Sequence, residues 1–470
     1  MNEQTHPAAL VAFHPGVKEA SDLLKRLFRG FEGSLALRLW NGATLRLGTS
    51  GSHAATPPFT LVCRSPSVVR AMVLGRDPLR LAEAYFRGDI DIEGDFFEAL
   101  ALKDHLNSIR MYGLDRLRAV FSALTLRTAP DGRQGVATVQ SPLHGRGVKE
   151  HSKTENRAAV AFHYDVSNEF YALWLDQAMV YSCAYFERST DDLEHAQEAK
   201  LDHVCRKLCL QPGDRLLDIG CGWGALAIHA ARHYGVRVHG ITLSERQLAL
   251  ARERIAQAGL QDQVSVELRD YRDVAGDAIY DKVASVGMFE HVGLKNLPVY
   301  FATVSRLLKP GGLFLNHGIT HDVEGWNKTS STQFINRYVF PDGQLDTVSN
   351  IQRAMEAVRF EIADVEALRP HYALTLRHWV SRLEQRHTEA LNHVSESTWR
   401  VWRLYMAACA LEFESGEIGV YQILASKREL GSMSVPLTRR HLYLACGHSL
   451  VAPFGKRTSS GNGQDNSFWA

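Results

Sequence analysis

The sequence predicts an α/β protein in which a parallel sheet, covered by helices on both faces, follows a smaller α+β domain. Three observations carry that expectation. From about residue 157 onward, short apolar strand patterns alternate with helical ones, the signature of βα repeats. The run Leu216-Leu217-Asp218-Ile219 leads into a turn with Gly220, Gly222 and Gly224, and helix formers follow it. Residues 127–156 are rich in Gly, Pro and charge without apolar periodicity, so they read as a linker between two domains.

Ahead of the linker, residues 1–126 have mixed character. The stretch from Gly33 to Leu47 alternates around Asn41-Gly42, which predicts a hairpin. Phe59 to Cys63 predicts a strand, and Pro66 to Leu74 and Pro78 to Phe86 predict helices. Such a domain is compatible with binding lipid, another subunit or nothing. Beyond the linker, Asp191 and Glu194 form a capping-box-like start to a helix through Leu193, Ala196, Leu201, Val204 and Leu208. Strands are expected at about 214–219, 236–242, 264–269, 280–286 and 312–318, with helices between them. Ala225 to Tyr234 is one such helix, with Gly235 where a left-handed cap belongs. Residues 320–410 interrupt the βα pattern with aromatics, including Trp326, Phe334, Tyr338, Phe340, Trp379, Trp399 and Trp402. They predict a helical cap that has a core of its own, walls an acyl-chain tunnel, or does both. Residues 157–450 are expected to form the catalytic domain, and the polar, glycine-rich stretch 451–470 a disordered tail.

A chain of 470 residues exceeds the usual size of one domain. Its 45% hydrophobic and 22% charged content is that of a soluble globular protein, and a net charge of +1 argues against a nucleic-acid binder. No apolar run reaches the roughly 18 to 20 residues that span a bilayer. Met1-Asn2-Glu3-Gln4 does not begin a signal peptide, so a cytoplasmic protein, free or peripherally attached, is expected. Seven cysteines, an odd number without paired spacing, predict no disulfide framework. Cys205 and Cys209 have no second ligand pair and Cys446-Gly447-His448 is isolated, so no metal site is expected.

The turn after Asp218 narrows the ligand. Dinucleotide folds space their glycines G-x-G-x-x-G, and a phosphate loop needs a following Gly-Lys-Ser/Thr; here the spacing is G-x-G-x-G. A carboxylate beside the turn would repel pyrophosphate but suits the ammonium of a methionine moiety. The pattern resembles the first motif of class I S-adenosylmethionine-dependent methyltransferases. On that reading Thr242, Leu243 and Gln247 lie at the ribose, with Ser244 as helix cap. Asp270, in Asp270-Tyr271-Arg272, either accepts from an adenine amine or is a turn residue. Glu290, after the fourth strand, is either a site carboxylate or a helix-start carboxylate.

Further segments carry a more specific resemblance: His163 to Tyr171, Met179 to Phe186, the glycine turn, Thr242-Leu243-Ser244, Gly287 to Gly293, and Phe340-Pro341-Asp342-Gly343. Together they resemble the cyclopropane-fatty-acyl-phospholipid synthase and mycolic acid cyclopropane synthase family over about residues 157–430. The resemblance implies a class I methyltransferase, Rossmann-like sheet with a helical substrate-covering insertion. It implies transfer of a methylene unit from S-adenosylmethionine to the cis double bond of an unsaturated acyl chain, through a carbocation deprotonated by bound bicarbonate. That ion would be held by Cys183, Glu290, His317 and Tyr372. Tyr164, Tyr181 and Ser182 would close over the cofactor, Asp218, Gly220, Gly222 and Gly224 would cradle its methionine part, and Asp270, Tyr271 and Arg272 would take the adenine. Cys409 matches a family cysteine considered as a nucleophile, although Ala407-Ala408-Cys409-Ala410 reads as a helix interior and favours packing.

The stretch Ala84 to Asp95 resembles the small domain carried by phospholipid-acting members. The implied partner is therefore an unsaturated phospholipid in a membrane, met by peripheral contact at the inner membrane surface. A homodimer is compatible with this, and a nucleic-acid partner is not expected. Rival outcomes are a methyl-branched or methylene fatty acyl product, N-methylation of a soluble amine, and a non-catalytic lipid-binding protein.

Overall fold

The computed structural model describes residues 16–29, 31, 33–48, 56–74, 78–102, 166–325, 329–340, 343–429 and 435–443, with positions 123, 126, 152, 153, 159 and 163. Most of the expected linker, Tyr164, Trp326, Pro341, Asp342, Cys446 to His448 and the expected tail lie outside the described residues.

The small domain runs α1 (Val17–Leu27), β1 (Leu35–Arg38), β2 (Thr44–Leu47), β3 (Phe59–Cys63), α2 (Pro66–Leu74), α3 (Pro78–Phe86), β4 (Ile90–Gly94) and α4 (Phe96–Leu100). Its sheet has the order β2-β1-β3-β4, with β1 parallel to β3 and the other pairs antiparallel. The expected hairpin turns at Asn41-Gly42, where the Asn41 carboxamide oxygen accepts from the Ala43 amide at 3.0 Å and Gly42 takes φ 87°.

The larger unit opens with α5 (Asn168–Ala172) and α6 (Leu193–Lys207). It then alternates β5 (Arg215–Ile219), α7 (Ala225–Tyr234), β6 (Arg237–Thr242), α8 (Glu245–Gln257), β7 (Val264–Leu268), β8 (Tyr280–Val286), α9 (Leu297–Leu307) and β9 (Leu308–His321). There follow α10 (Ser330–Tyr338), α11 (Val348–Ala357), β10 (Phe360–Ala367), α12 (Arg369–Gln385), α13 (His387–Ala390), α14 (Glu396–Ser415), β11 (Ile418–Lys427) and α15 (Arg440–Tyr443). Seven strands form one sheet in the order β10-β11-β9-β8-β5-β6-β7, parallel from β7 to β9, with β11 antiparallel to both neighbours. Strand β5 has β6 on one side and β8 on the other, so the winding reverses there and a crevice opens at the carboxyl ends of the strands.

Three expectations need correction. Helix α6 is capped by Asp192, whose carboxylate accepts from the His195 amide; Asp191 instead accepts from the Arg188 amide and pairs with its guanidinium. Glu194 pairs with Arg382 rather than closing a capping box. The region 320–410 is not an uninterrupted insertion, because α11 and β10 return to the sheet and only α10 and α12 to α14 build the cap. Strand β10 escapes sequence reading because its core-type residues alternate with Glu361, Asp364 and Glu366, two of which are claimed by the buried Lys207.

The small domain docks on α14 and α10. Phe86 stacks on Phe334 and meets Tyr338 edge-on at ring separations of 6.0 and 5.2 Å. Arg403 lies 3.8 Å above the Phe96 ring and donates to the Tyr85 hydroxyl. Arg400 donates to the Tyr85 and Ile90 carbonyls. Both guanidiniums are buried, and Asp91, Glu396 and Glu384 balance their charge.

Candidate active site

The crevice at the end of β5 is closed by the glycine turn. The Gly220 and Cys221 amides both donate to the Ile241 carbonyl, which pins the turn to β6. Gly220 and Gly222 take φ 83° and 54°, a left-handed conformation that side chains resist. A Cβ at Gly220 would lie 2.9 Å from the Met288 side chain, whereas one at Gly222 would meet no protein atom within 4 Å. The Gly222 backbone therefore borders open ligand space. Gly222→Ala is expected to weaken binding of S-adenosylhomocysteine by about tenfold, from roughly 1–2 kcal/mol of backbone strain plus the intruding methyl. Isothermal titration calorimetry checks it, and unchanged affinity would remove Gly222 from the ligand contact.

The turn borders a cavity enclosing about 1130 Å³ of atom-free space, part of it open to solvent. Of the residues expected at the cofactor, Tyr181, Ser182, Asp218, Gly220, Gly222, Thr242, Leu243, Gln247, Asp270 and Tyr271 line it. Gly224 and Arg272 do not. Gly224 instead starts α7 where a Cβ would touch Ala251 of α8 at 3.4 Å, so it serves helix packing. Arg272 grips Asp270 from behind, donating through Nε to Oδ1 at 2.8 Å and through its terminal nitrogen to Oδ2 at 2.6 Å. It orients the carboxylate rather than touching the cavity. The backbone amide of Arg272 also donates to Asp270, which makes Asp270 both a turn cap and a wall residue.

Thr242 donates to the Gln247 Oε1 at 2.8 Å, leaving the amide nitrogen of Gln247 as its donor, and Ser244 caps α8 by accepting from the Gln247 amide. Asp218 is only 2% exposed and its Oδ2 has no hydrogen-bond partner among the described residues. Burial pushes its carboxyl up to about 7 despite the opposing charge of Lys200. A ligand-sized cavity at the switch point, an open glycine backbone and an unpartnered carboxylate fit an ammonium-bearing nucleoside.

The segment after α5 closes one side. Tyr181 sits among the rings of Tyr171, Trp174, Trp379 and Trp402, at separations of 5.5, 5.4, 5.3 and 6.3 Å. This gives the cap a core of its own, in which Trp379 and Trp402 are buried. The adjoining lid is held by one polar face of α6. Gln197 donates to the Ser182 carbonyl and Lys200 to the Ser182 hydroxyl, each at 2.9 Å.

A second buried polar group lies beyond the cavity. Glu290 sits in a single 3-10 turn after β8, and its Oε1 accepts from the Ile319 amide of β9 at 2.8 Å. That bond crosses to another strand, which favours the site reading over a plain helix-start carboxylate. Oε2 is buried without a partner among the described residues, and burial raises the carboxyl to about 7. His317, on β9, accepts at Nδ1 from the Gln422 amide of β11 at 3.2 Å. Burial and nearby Lys200 and Lys207 hold His317 neutral, so its buried, unpartnered Nε2 carries the hydrogen.

Cys183 and Tyr372 meet at the backbone of Leu368. The Leu368 carbonyl accepts from the Cys183 thiol at 3.7 Å and from the Tyr372 amide at 3.2 Å. The Leu368 amide donates to Val420, which pairs with Ile319. Burial pushes the Cys183 thiol up. Cys409 lies in the interior of α14, as its sequence suggests, beside the Tyr405 hydroxyl. Its thiol is pushed up to about 12 by burial, the opposite of an activated nucleophile.

Sequence reading missed Lys200, Gln422, Met288 and Arg269. Lys200 has a weak signal, since Gln197, Lys200, His203 and Lys207 fall on one face of α6 and all are buried. Among the described residues no helix is long and apolar enough to cross a membrane, and no group of three or more His, Cys, Asp or Glu could hold a metal ion.

Known proteins agree with this geometry. The family model described as mycolic acid cyclopropane synthetase matches residues 151–423. A probable fatty acid methyltransferase of Pseudomonas putida is 42% identical over 412 residues, covering 87% of this chain and 96% of its own. A cyclopropane-fatty-acyl-phospholipid synthase of Escherichia coli K12 is 42% identical over 267 residues, 56% of this chain and 66% of its own. The crystal structure of mycolic acid cyclopropane synthase CmaA1 complexed with SAH and CTAB matches with a TM-score of 0.55 at 35% identity, over 58% of this chain and 98% of that one. With the family model matching more than half of its length and a relative 42% identical over most of both chains, the chain belongs to the mycolic acid cyclopropane synthetase family of S-adenosylmethionine-dependent methyltransferases.

Proposed function

We propose that the protein adds a methylene unit to the cis double bond of unsaturated fatty acyl chains of membrane phospholipids, forming a cyclopropane ring. The observation that carries this reading is the cofactor-sized cavity, with Glu290 Oε2 and His317 Nε2 buried and without partners among the described residues on segments that adjoin its wall. Bound in the crevice, S-adenosylmethionine supplies an electrophilic methyl group. Asp218 holds its ammonium, Thr242 and Gln247 its ribose, and Asp270 and Tyr271 its adenine. The alkene electrons would take the methyl as its bond to sulfur breaks and S-adenosylhomocysteine leaves, a carbocation would form on the acyl chain, and loss of one proton from the added methyl would close the ring. The His317 N–H, the Tyr372 hydroxyl and the Cys183 segment would hold bicarbonate, which would supply the base for that proton. Glu290, its carboxyl raised by burial to about 7, would donate to the anion in its acid form. The aromatic cap keeps water from the cation. In this reading the protein works at the cytoplasmic face of a membrane as a peripheral protein, with the small domain at the lipid surface; a homodimer is compatible with it.

A second reading ends in a methyl-branched or methylene chain, the cation losing a proton elsewhere. It is favoured by the Pseudomonas putida relative, which aligns over nearly the whole chain and is named a fatty acid methyltransferase. One assay separates the two: incubation with S-adenosylmethionine and vesicles of monounsaturated phospholipid, followed by acyl mass and proton spectra. A gain of one CH₂ with cyclopropyl protons is expected. The same gain with a retained alkene supports the second reading, and unmodified acyl chains overturn both.

A further inference from the structure

Two oppositely charged groups flank the cofactor cavity without neutralising each other. Lys200 reaches its wall from α6, 2% exposed, and its ammonium donates to the Ser182 hydroxyl at 2.9 Å. No carboxylate of the described residues forms an ion pair with it, although Asp176 and Asp218 are close enough to act on its charge. Asp218, which lines the same cavity, keeps an oxygen buried and without a partner among the described residues. Each charge is costly to bury alone, so the arrangement calls for a ligand that satisfies both at once. An α-amino acid group does so, since its ammonium and carboxylate branch from one carbon.

We propose that Lys200 and Asp218 form a zwitterion clamp in which Lys200 takes the α-carboxylate of the cofactor's methionyl end while Asp218 takes its α-ammonium. Lys200 is thereby a specificity residue for the intact amino-acid end. The proposal deepens the cofactor reading and is independent of which acyl product is formed. It also gives a reason for a lysine on a helix face that otherwise carries groups bonded to the lid and to β10. Ser182 accepts the same ammonium, so an occupied clamp is fastened to the residue preceding Cys183.

The test is calorimetry on the full chain with S-adenosylhomocysteine and its decarboxylated analogue, 5′-(3-aminopropylthio)-5′-deoxyadenosine. The wild type is expected to bind the analogue about 10- to 100-fold more weakly, the range for one charge-assisted hydrogen bond. Equal binding of the two by the wild type overturns the proposal without any variant. Lys200→Met is expected to bind S-adenosylhomocysteine about as weakly as the analogue, with its affinity for the analogue unchanged, and Lys200→Arg to restore part of the difference. Equal weakening of both ligands would mean a structural role and overturn it. So would an unchanged ratio joined to a raised bicarbonate requirement, which would assign Lys200 to the anion near His317.

Discussion

Asp218→Asn loses tight cofactor binding and, in the same substitution, makes the ligand-free protein more stable. The buried carboxyl titrates at about 7, raised by burial from an ordinary value of 3.8. The folded state therefore binds a proton more tightly than the unfolded chain between those values, and stability falls as pH rises through the interval. Asparagine has the same shape and no such penalty. Part of the gain is returned because Lys200 loses an attractive neighbour. A net gain of about 1–2 kcal/mol, or a few degrees of melting temperature, is expected at pH 8, shrinking toward pH 5. Affinity for S-adenosylhomocysteine is expected to fall on the order of 100-fold, the loss of a charged hydrogen bond in a buried site. At pH 6 the wild type should release close to one proton on binding, and the variant none. Differential scanning calorimetry at two pH values and titrations in two buffers check both halves. Undiminished affinity would show that Asp218 does not hold the ammonium.

Glu290→Gln should act on chemistry and spare binding. Glutamine keeps the bond from the Ile319 amide and the side-chain volume, but it has no carboxylic acid. If the acid form steadies an anion beside the cation, the weaker N–H donor of glutamine lowers product formation on the order of tenfold while cofactor affinity stays within about twofold. The sign of the pH dependence follows from a carboxyl raised to about 7. At saturating cofactor the wild-type rate should decline as pH rises through 7, and the variant should lack that limb. A variant that keeps the wild-type rate would return Glu290 to a structural role.

Much of this was legible in the chain itself, for identifiable reasons. Strand β5 and its glycine turn are read correctly because backbone conformation dictates residue type there, and Gly220 and Gly222 are left-handed. Helices at Pro66–Leu74 and Pro78–Phe86 begin at proline, which marks a first turn from sequence alone. Strands β10 and β11 were missed because they are paired across the insertion, so no neighbouring repeat announces them. Gln422 is polar in an apolar strand and looks like noise until the register sets it opposite His317. Lys200 resembles any solvated lysine on an amphipathic helix; only the fold shows that α6 is covered on its polar face as well. Arg272 and Gly224 were assigned to the cofactor by the family resemblance of their motifs, and each sits one layer behind the cavity wall.

The sheet order also governs when the protein becomes an enzyme. His317 takes its tautomer from Gln422, a residue 105 positions later, on a strand that must insert between β9 and β10. During synthesis the strands that border the cofactor crevice, β5 to β8, emerge first, whereas the surroundings of His317 stay unfinished until β11 arrives. At about 5–20 residues per second, that interval lasts roughly 7 to 28 seconds. A nascent or C-terminally shortened chain would thus bind the methyl donor without an oriented imidazole opposite it, so chain completion itself licenses the chemistry.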